Sequence, residues 1–288
     1  MTAAPAHSLR IGLFGAGRVA AQLAPALVAA GHELAFISSR STASAAELAA
    51  RFPTPPPVLE VPTAELPAAD LYLLAVPDAA VPAVLAGARW PTGAVVAYLA
   101  GALPLSVFEA APLVHGGVLY PLQTFSSGRR VAWEAVPLFI EAADTKAENL
   151  LLALAGSLSA HVQRLGSPER LRLHVGAVFA NNFTNHLLGI AHELLADAGL
   201  PFDLLAPLIH ETVDKALSQA PFTVQTGPAV RHDAPTLAAH RAALAGQPAW
   251  QQLYETLTAG IQAQQVGLAS QRPEPGANPA LLPPVSTL

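Results

Sequence analysis

The stretch RIGLFGAGRVAAQLAPAL, residues 10–27, decides the fold. It runs from a short apolar strand through Gly15-x-Gly17-x-x-Ala20 into an alanine- and leucine-rich segment, 19–31, that reads as a helix ending at Gly31. The first glycine permits a tight turn, the second lets a pyrophosphate approach the backbone, and a small third residue lets helix and strand pack closely. Free N–H groups and the positive dipole end of the helix would then face an anion. Taken alone, the pattern fits a plain glycine turn equally well. Its place after a first strand and at the opening of a helix points to a dinucleotide. Gly15, Ala16, Gly17, Arg18, Val19 and Ala20 are the expected phosphate-binding residues.

Outward from this turn, ELAFISSR (33–40), LYLLAV (71–76), AVVAYLA (94–100), GVLYPL (117–122) and VPLFIEA (136–142) read as strands. Continuous apolar runs such as 71–76 and 94–100 suit strands covered on both faces. SAAELAARF (44–52) reads as a helix, with Ser44 as N-cap and Glu47 completing a capping box. The alternation predicts an α/β fold over 1–165: a doubly wound, mostly parallel Rossmann-type sheet. Beyond it, SPERLRLHVGAVFANNFTNHLLGIAHELLADAG (167–199) reads as one helix about 45 Å long, capped by Ser167 and ended by Gly199. Helical segments at 203–219, 235–244 and 249–269, around the polar loop TGPAVRHD (226–233), complete an all-helical domain over 166–270. The proline-rich end, 271–288, reads as a disordered tail.

Composition narrows the function. The 288 residues are 52% hydrophobic, enough for one large or two modest domains. The absence of cysteine excludes disulfides and thiolate chemistry and fits a reducing compartment, the cytoplasm. A net charge of -5 without a basic run argues against a nucleic-acid partner. No membrane span or signal peptide is expected, because no apolar run reaches about 18 residues and none precedes the first strand.

The end of the second strand bears on the cofactor. An NAD site usually places an acidic residue there to accept from the ribose hydroxyls. Ser38, Ser39 and Arg40 stand there instead, and a planar guanidinium with two hydroxyls matches the 2′-phosphate of NADP. Ala75, Val76 and Pro77, with Ala100 and Gly101, follow two later strands and are expected to flank the nicotinamide ribose.

The long helical segment carries the remaining candidates. At 100° per residue, His174, Asn181, Asn185 and His192 share a stripe, with Asn182 and His186 beside it. Asparagines are poor helix formers, so three in five residues suggest a use. Asn182 and His186 are the expected catalytic pair, an amide to hold the acceptor and an imidazole to donate a proton, with His174 in reserve as donor. Gln123 and Thr124, past a strand end, and Thr226 and Arg231, in the polar loop, are the expected substrate contacts. The histidines lack metal-ligand spacing, so no metal is expected.

With these residues placed, the N-terminal half resembles the reductases that include pyrroline-carboxylate reductase, ketopantoate reductase and relatives of 6-phosphogluconate dehydrogenase. The whole chain resembles an uncharacterised family of NADP oxidoreductases that join a Rossmann-like domain to a helical domain of unknown function, 2520. The matching stretches are GAGRVAAQLA, LAVPD, YPLQTFS (120–126), LHVGAVFANNFTNHL (173–187), PLIHETVDKAL (207–217) and TGPAVRHD. Many members carry histidine before the proline of YPLQTFS, where this chain has Tyr120. The resemblance implies a fold, an NADP cofactor and a homodimer through the helical domain, but no substrate. The expected activity is reduction of a small C=O or C=N compound; the alternative is a non-catalytic NADP sensor.

Overall fold

A computed structural model describes residues 8–60, 65–126 and 128–270 of the chain. The expected tail, 271–288, lies outside them. Two compact units divide at Thr184/Asn185. This lies past the 165/166 boundary read from the sequence, so the first residues of the long helical segment belong with the sheet.

The first unit holds an eight-stranded sheet in the order β3-β2-β1-β4-β5-β6-β7-β8. The strands are β1 (Arg10–Phe14), β2 (Glu33–Ser38), β3 (Val58–Leu59), β4 (Leu71–Leu74), β5 (Val95–Tyr98), β6 (His115–Pro121), β7 (Leu138–Ala142) and β8 (Val162–Arg164). Pairing is parallel from β3 to β6, antiparallel between β6 and β7, and parallel again between β7 and β8. The doubly wound sheet is therefore as expected. The strands β3 and β8 were not expected, because two- and three-residue strands leave no periodicity to read.

Side-chain alternation builds a core on each face. Ile11, Leu13, Leu71, Leu73, Val95 and Ala97 point to one side, and Phe14, Tyr72, Leu74, Val96 and Tyr98 to the other. The first face packs against α1 (Arg18–Ala29), α2 (Thr42–Ala49) and α4 (Thr145–Leu158), through Leu23, Leu27, Leu48, Leu151 and Leu154. The second receives Val81 and Leu85 of α3 (Val81–Gly87) and Phe108. Burying each large aliphatic side chain is worth about 1.5–3 kcal/mol. Gly12 is required at the centre, where a Cβ would lie 2.6 Å from the Phe36 ring.

Two expected caps are corrected. The cap of α2 is Ser41, whose hydroxyl accepts from Ser44 N, so the helix starts two residues before the expected position. A Ser-x-x-Ser run offers two possible caps, and the earlier one satisfies a backbone N–H without shortening the helix. Ser167 is not the cap of α5 (Ser167–Ala177) but its first residue. Its hydroxyl is committed to Glu141 and to Leu105 N.

The long segment is also not one uniform α-helix. It runs as α5, then a π-helical stretch Val178–Phe183, then α6 (Thr184–Asp197). A π turn holds an extra residue, so the 100° phase that joined His174 to Asn181 and Asn185 in one stripe is broken there. Gly199, with φ 69°, closes α6 by donating its N–H to Ala196 O, as expected of a left-handed terminator.

The second unit consists of the rest of α6 with α7 (Ala206–Ser218), α8 (Ala234–Ala243) and α9 (Pro248–Ser270). No residue of α6 or α7 is buried. Among the described residues, no helix is long and apolar enough to cross a membrane.

Candidate functional site

The chain reverses its direction of travel across the sheet at β1, which lies between β2 and β4. Open α/β sheets bind ligands in the crevice at such a switch point, outside the carboxyl ends of the strands. At this point, just past β1, stands Gly15. Its N–H bonds Ser38 O at 2.6 Å, its φ is 113°, and a Cβ would lie 2.2 Å from Ala75 O. Both the conformation and the approach exclude any other residue.

Gly17 differs in kind. A Cβ there would meet nothing within 4 Å. It is the N-cap of α1, no side chain caps that helix, and no acidic residue occupies its first turn. Among the described residues, no side chain takes the first N–H groups of α1, which fits an anion at a helix N-terminus. Arg18 is exposed and Val19 half-buried beside this opening, whereas Ala20 is fully buried against the sheet, as the third small residue of the turn should be.

At the end of β2, Arg40 is exposed and Ser39 half-buried. Ser38 is buried and its hydroxyl donates to Leu59 O, so it is committed to the sheet. The exposed hydroxyl beside Arg40 is instead Ser41, at the N-terminus of α2. Sequence reading missed it by placing the cap at Ser44. Ala75 and Val76 are half-buried and Pro77 exposed just past β4, while Ala100 and Gly101 are buried past β5.

A polar cluster fixes the loop after β5. Arg170, 1% exposed, donates to the carbonyls of Ala100, Gly101 and Leu103 at 3.0, 3.0 and 2.8 Å. It also bonds Glu141 at 2.7 Å, Ser167 at 3.1 Å and the Tyr98 hydroxyl at 3.3 Å. Burial pushes the Tyr98 phenol up to about 12, against the opposing charge of Arg170. An arginine in a polar helical turn reads as a surface residue, so no sequence signal singled it out.

One turn along α5, His174 lies against Gly101 and Tyr120. The Tyr120 hydroxyl and His174 Nδ1 are 3.1 Å apart, and the rings meet edge to face. A Cβ on Gly101 would come within 2.5 Å of His174 Nδ1 and 2.8 Å of Tyr120 Cζ. The structure therefore brings together Gly101, Tyr120 and His174. Tyr120 was noted in the sequence only as a departure from histidine.

The other candidates are surface residues of their own elements. Asn182 is exposed within the π stretch, and His186 is exposed on α6 in the second unit. Gln123 and Thr124 are exposed after β6, where the Gln123 side-chain oxygen accepts from Thr124 N. Thr226 and Arg231 are exposed in the loop before α8. There Asp233 caps α8 through Thr236 and forms no ion pair with Arg231 among the described residues.

Comparison with known proteins agrees with this architecture. Residues 3–125 match a Rossmann-like domain, and residues 136–261 match the domain of unknown function 2520. The structure of a putative NADP oxidoreductase from Bacteroides fragilis is 38% identical, covers 89% of this chain and 98% of its own, and superimposes with a TM-score of 0.79. A reductive aminase from Aspergillus terreus, solved with NADPH and ethyl-5-oxohexanoate, shares the fold at 17% identity, over 91% of this chain and 100% of its own, with a TM-score of 0.59. A 1-pyrroline-5-carboxylate reductase from Streptococcus pyogenes does so at 14% identity, over 89% and 99%, with a TM-score of 0.55. No curated protein matches the chain. On the Bacteroides fragilis relative and the two domain matches, this chain belongs to the family that joins a Rossmann-like domain to the domain of unknown function 2520.

Proposed function

We propose that the protein is an NADP-dependent reductase acting on a small C=O or C=N compound. The observation that carries the reading is the open, uncapped N-terminus of α1 above Gly17, at the switch point of the sheet. The 38% identical relative bears the name of a putative NADP oxidoreductase, which supports the same cofactor here.

In this reading, Gly15, Ala16, Gly17, Arg18 and Val19 hold the pyrophosphate by backbone N–H groups, with Ala20 packing the helix against β1. Arg40, Ser39 and the exposed Ser41 take the 2′-phosphate. Ala75, Val76, Pro77, Ala100 and Gly101 flank the nicotinamide ribose. The cofactor, when bound, supplies a hydride. The chain must then polarise the acceptor and deliver a proton to its oxygen or nitrogen. His174, the reserve donor expected from the sequence, is proposed for this role, its position beside Gly101 supporting it. Asn182 and His186 remain the proposed catalytic pair, and Gln123, Thr124, Thr226 and Arg231 the proposed substrate contacts.

The helical part is proposed to pair with a second copy of the chain. Leu204, Leu208 and Leu217 are 60%, 63% and 82% exposed, and apolar side chains left open on neighbouring helical elements support such a pairing. A cysteine-free chain suits the reducing cytoplasm.

Calorimetric titration with NADPH and NADH tests the cofactor assignment. NADPH should bind more tightly, and Arg40→Ala should weaken NADPH by about tenfold to a hundredfold while leaving NADH nearly unchanged, since bonds to charged groups are worth about 1.5–3 kcal/mol. Equal losses for both nucleotides would refute the 2′-phosphate site.

A further inference from the structure

The contact between Tyr120 and His174 has a direction. Tyr120 is 7% exposed, and among the described residues its hydroxyl has one hydrogen-bond partner, His174 Nδ1. Two arrangements fit the 3.1 Å separation: the phenol donates to Nδ1, or an Nδ1–H donates to the phenol oxygen. In the second, the phenolic proton would be left in the interior without an acceptor, which carries the full desolvation penalty of that group. The first arrangement satisfies the phenol and the ring nitrogen together. Burial also raises the Tyr120 pKa, against the nearby charge of Arg170, so the hydroxyl keeps the proton it donates.

The surroundings hold the pair in place. Arg170 ties the first turn of α5 to the carbonyls of Ala100, Gly101 and Leu103. The missing side chain at Gly101 is what admits both rings at the strand end. Among the described residues, His174 Nε2 has no hydrogen-bond partner, and the imidazole is half-buried.

We propose that Tyr120 is a positioning residue: it donates to His174 Nδ1, holds the neutral imidazole as the Nε2–H tautomer, and so presents a hydrogen-bond donor to the substrate. The inference rests on the reductase reading above and deepens it. An Nε2–H can polarise the oxygen of a C=O or the nitrogen of a C=N group, whereas the opposite tautomer would present a lone pair to it. A tyrosine suits the task because its hydroxyl both donates and accepts.

The test uses the full chain, labelled with 15N, with and without NADPH. Long-range 1H–15N correlations distinguish a protonated from an unprotonated ring nitrogen, and the His174 signals are those lost in His174→Gln. At a pH where the ring is neutral, the wild type should show Nε2 protonated and Nδ1 bare. In Tyr120→Phe, which keeps the ring and its packing, the tautomer ratio should move about fivefold toward Nδ1–H, the equivalent of one hydrogen bond. A wild-type ring with Nδ1 protonated or with mixed tautomers would overturn the proposal, and this arm stands whether or not the variant folds. An unchanged ratio in folded Tyr120→Phe would overturn it too. NADPH titration of the same samples separates the two readings. Wild type that fails to bind NADPH removes the reductase reading but leaves the tautomer result standing.

Discussion

Replacing Gly101 with alanine tests whether the group at the end of β5 is as tightly built as its geometry indicates. The added Cβ would lie 2.5 Å from His174 Nδ1, 2.8 Å from His174 Cγ and 2.8 Å from Tyr120 Cζ. All three are distances that real Cβ atoms do not tolerate. The φ of Gly101 is not in the left-handed region, so the effect is steric alone. The backbone cannot retreat easily, because Arg170 holds the carbonyls of Ala100 and Gly101. The rings must move instead. Overpacking of this kind costs about 1–3 kcal/mol, and the lost Tyr120–His174 bond adds about 1 kcal/mol. For a unit of 184 residues, that lowers the melting temperature by roughly 5–10 °C. Thermal unfolding followed by circular dichroism gives the measurement. The double variant Gly101→Ala/His174→Ala should fall short of the summed single losses by about 1 kcal/mol or more, since the space freed by the imidazole takes the new methyl. A Gly101→Ala protein that melts within a degree of wild type, or losses that simply add, would refute the reasoning.

Two other perturbations are informative. Gly17→Val should abolish binding of both nucleotides while the fold survives, because its side chain would fill open space rather than strike the protein; unchanged affinity by calorimetry would make the loop a plain turn. His32 is buried, accepts from Leu9 N–H at Nδ1 and contacts Ser157 through Nε2, and burial lowers its pKa. The unfolded chain then binds the proton more readily, so this stabilisation is present above about pH 6.5 and is lost as pH falls through the lowered folded value. Urea denaturation from pH 8 to pH 5 should show that decline flattened in His32→Gln, and an equal slope in both proteins would count against it.

Much of the fold could be read from local pattern. The glycine turn, the buried strands at 71–76 and 94–100 and the left-handed Gly199 all announce themselves through apolar runs or through residues that only one conformation accommodates. What escaped was decided by distant partners. Whether Ser38 is a ligand or a sheet residue depends on Leu59, which meets its hydroxyl only because β3 forms. Whether Arg170 is surface or core depends on Glu141 and on three carbonyls from another part of the chain. The π stretch at 178–183 defeats a constant helical period, and with it the stripe on which the asparagines and histidines were grouped.

The way Arg170 is satisfied bears on how this protein can change over evolution. Three of its contacts are to main-chain oxygens, which every amino acid supplies alike. The guanidinium reads the path of residues 100–103 and not their identity. Substitutions at Ala102, whose side chain faces solvent, should therefore drift freely, while insertions or deletions in the same four residues should be purged. Position 101 is the exception, tied to 120 and 174 by shared space, so a lineage gains the freedom to replace that glycine only as the two rings beside it shrink or shift.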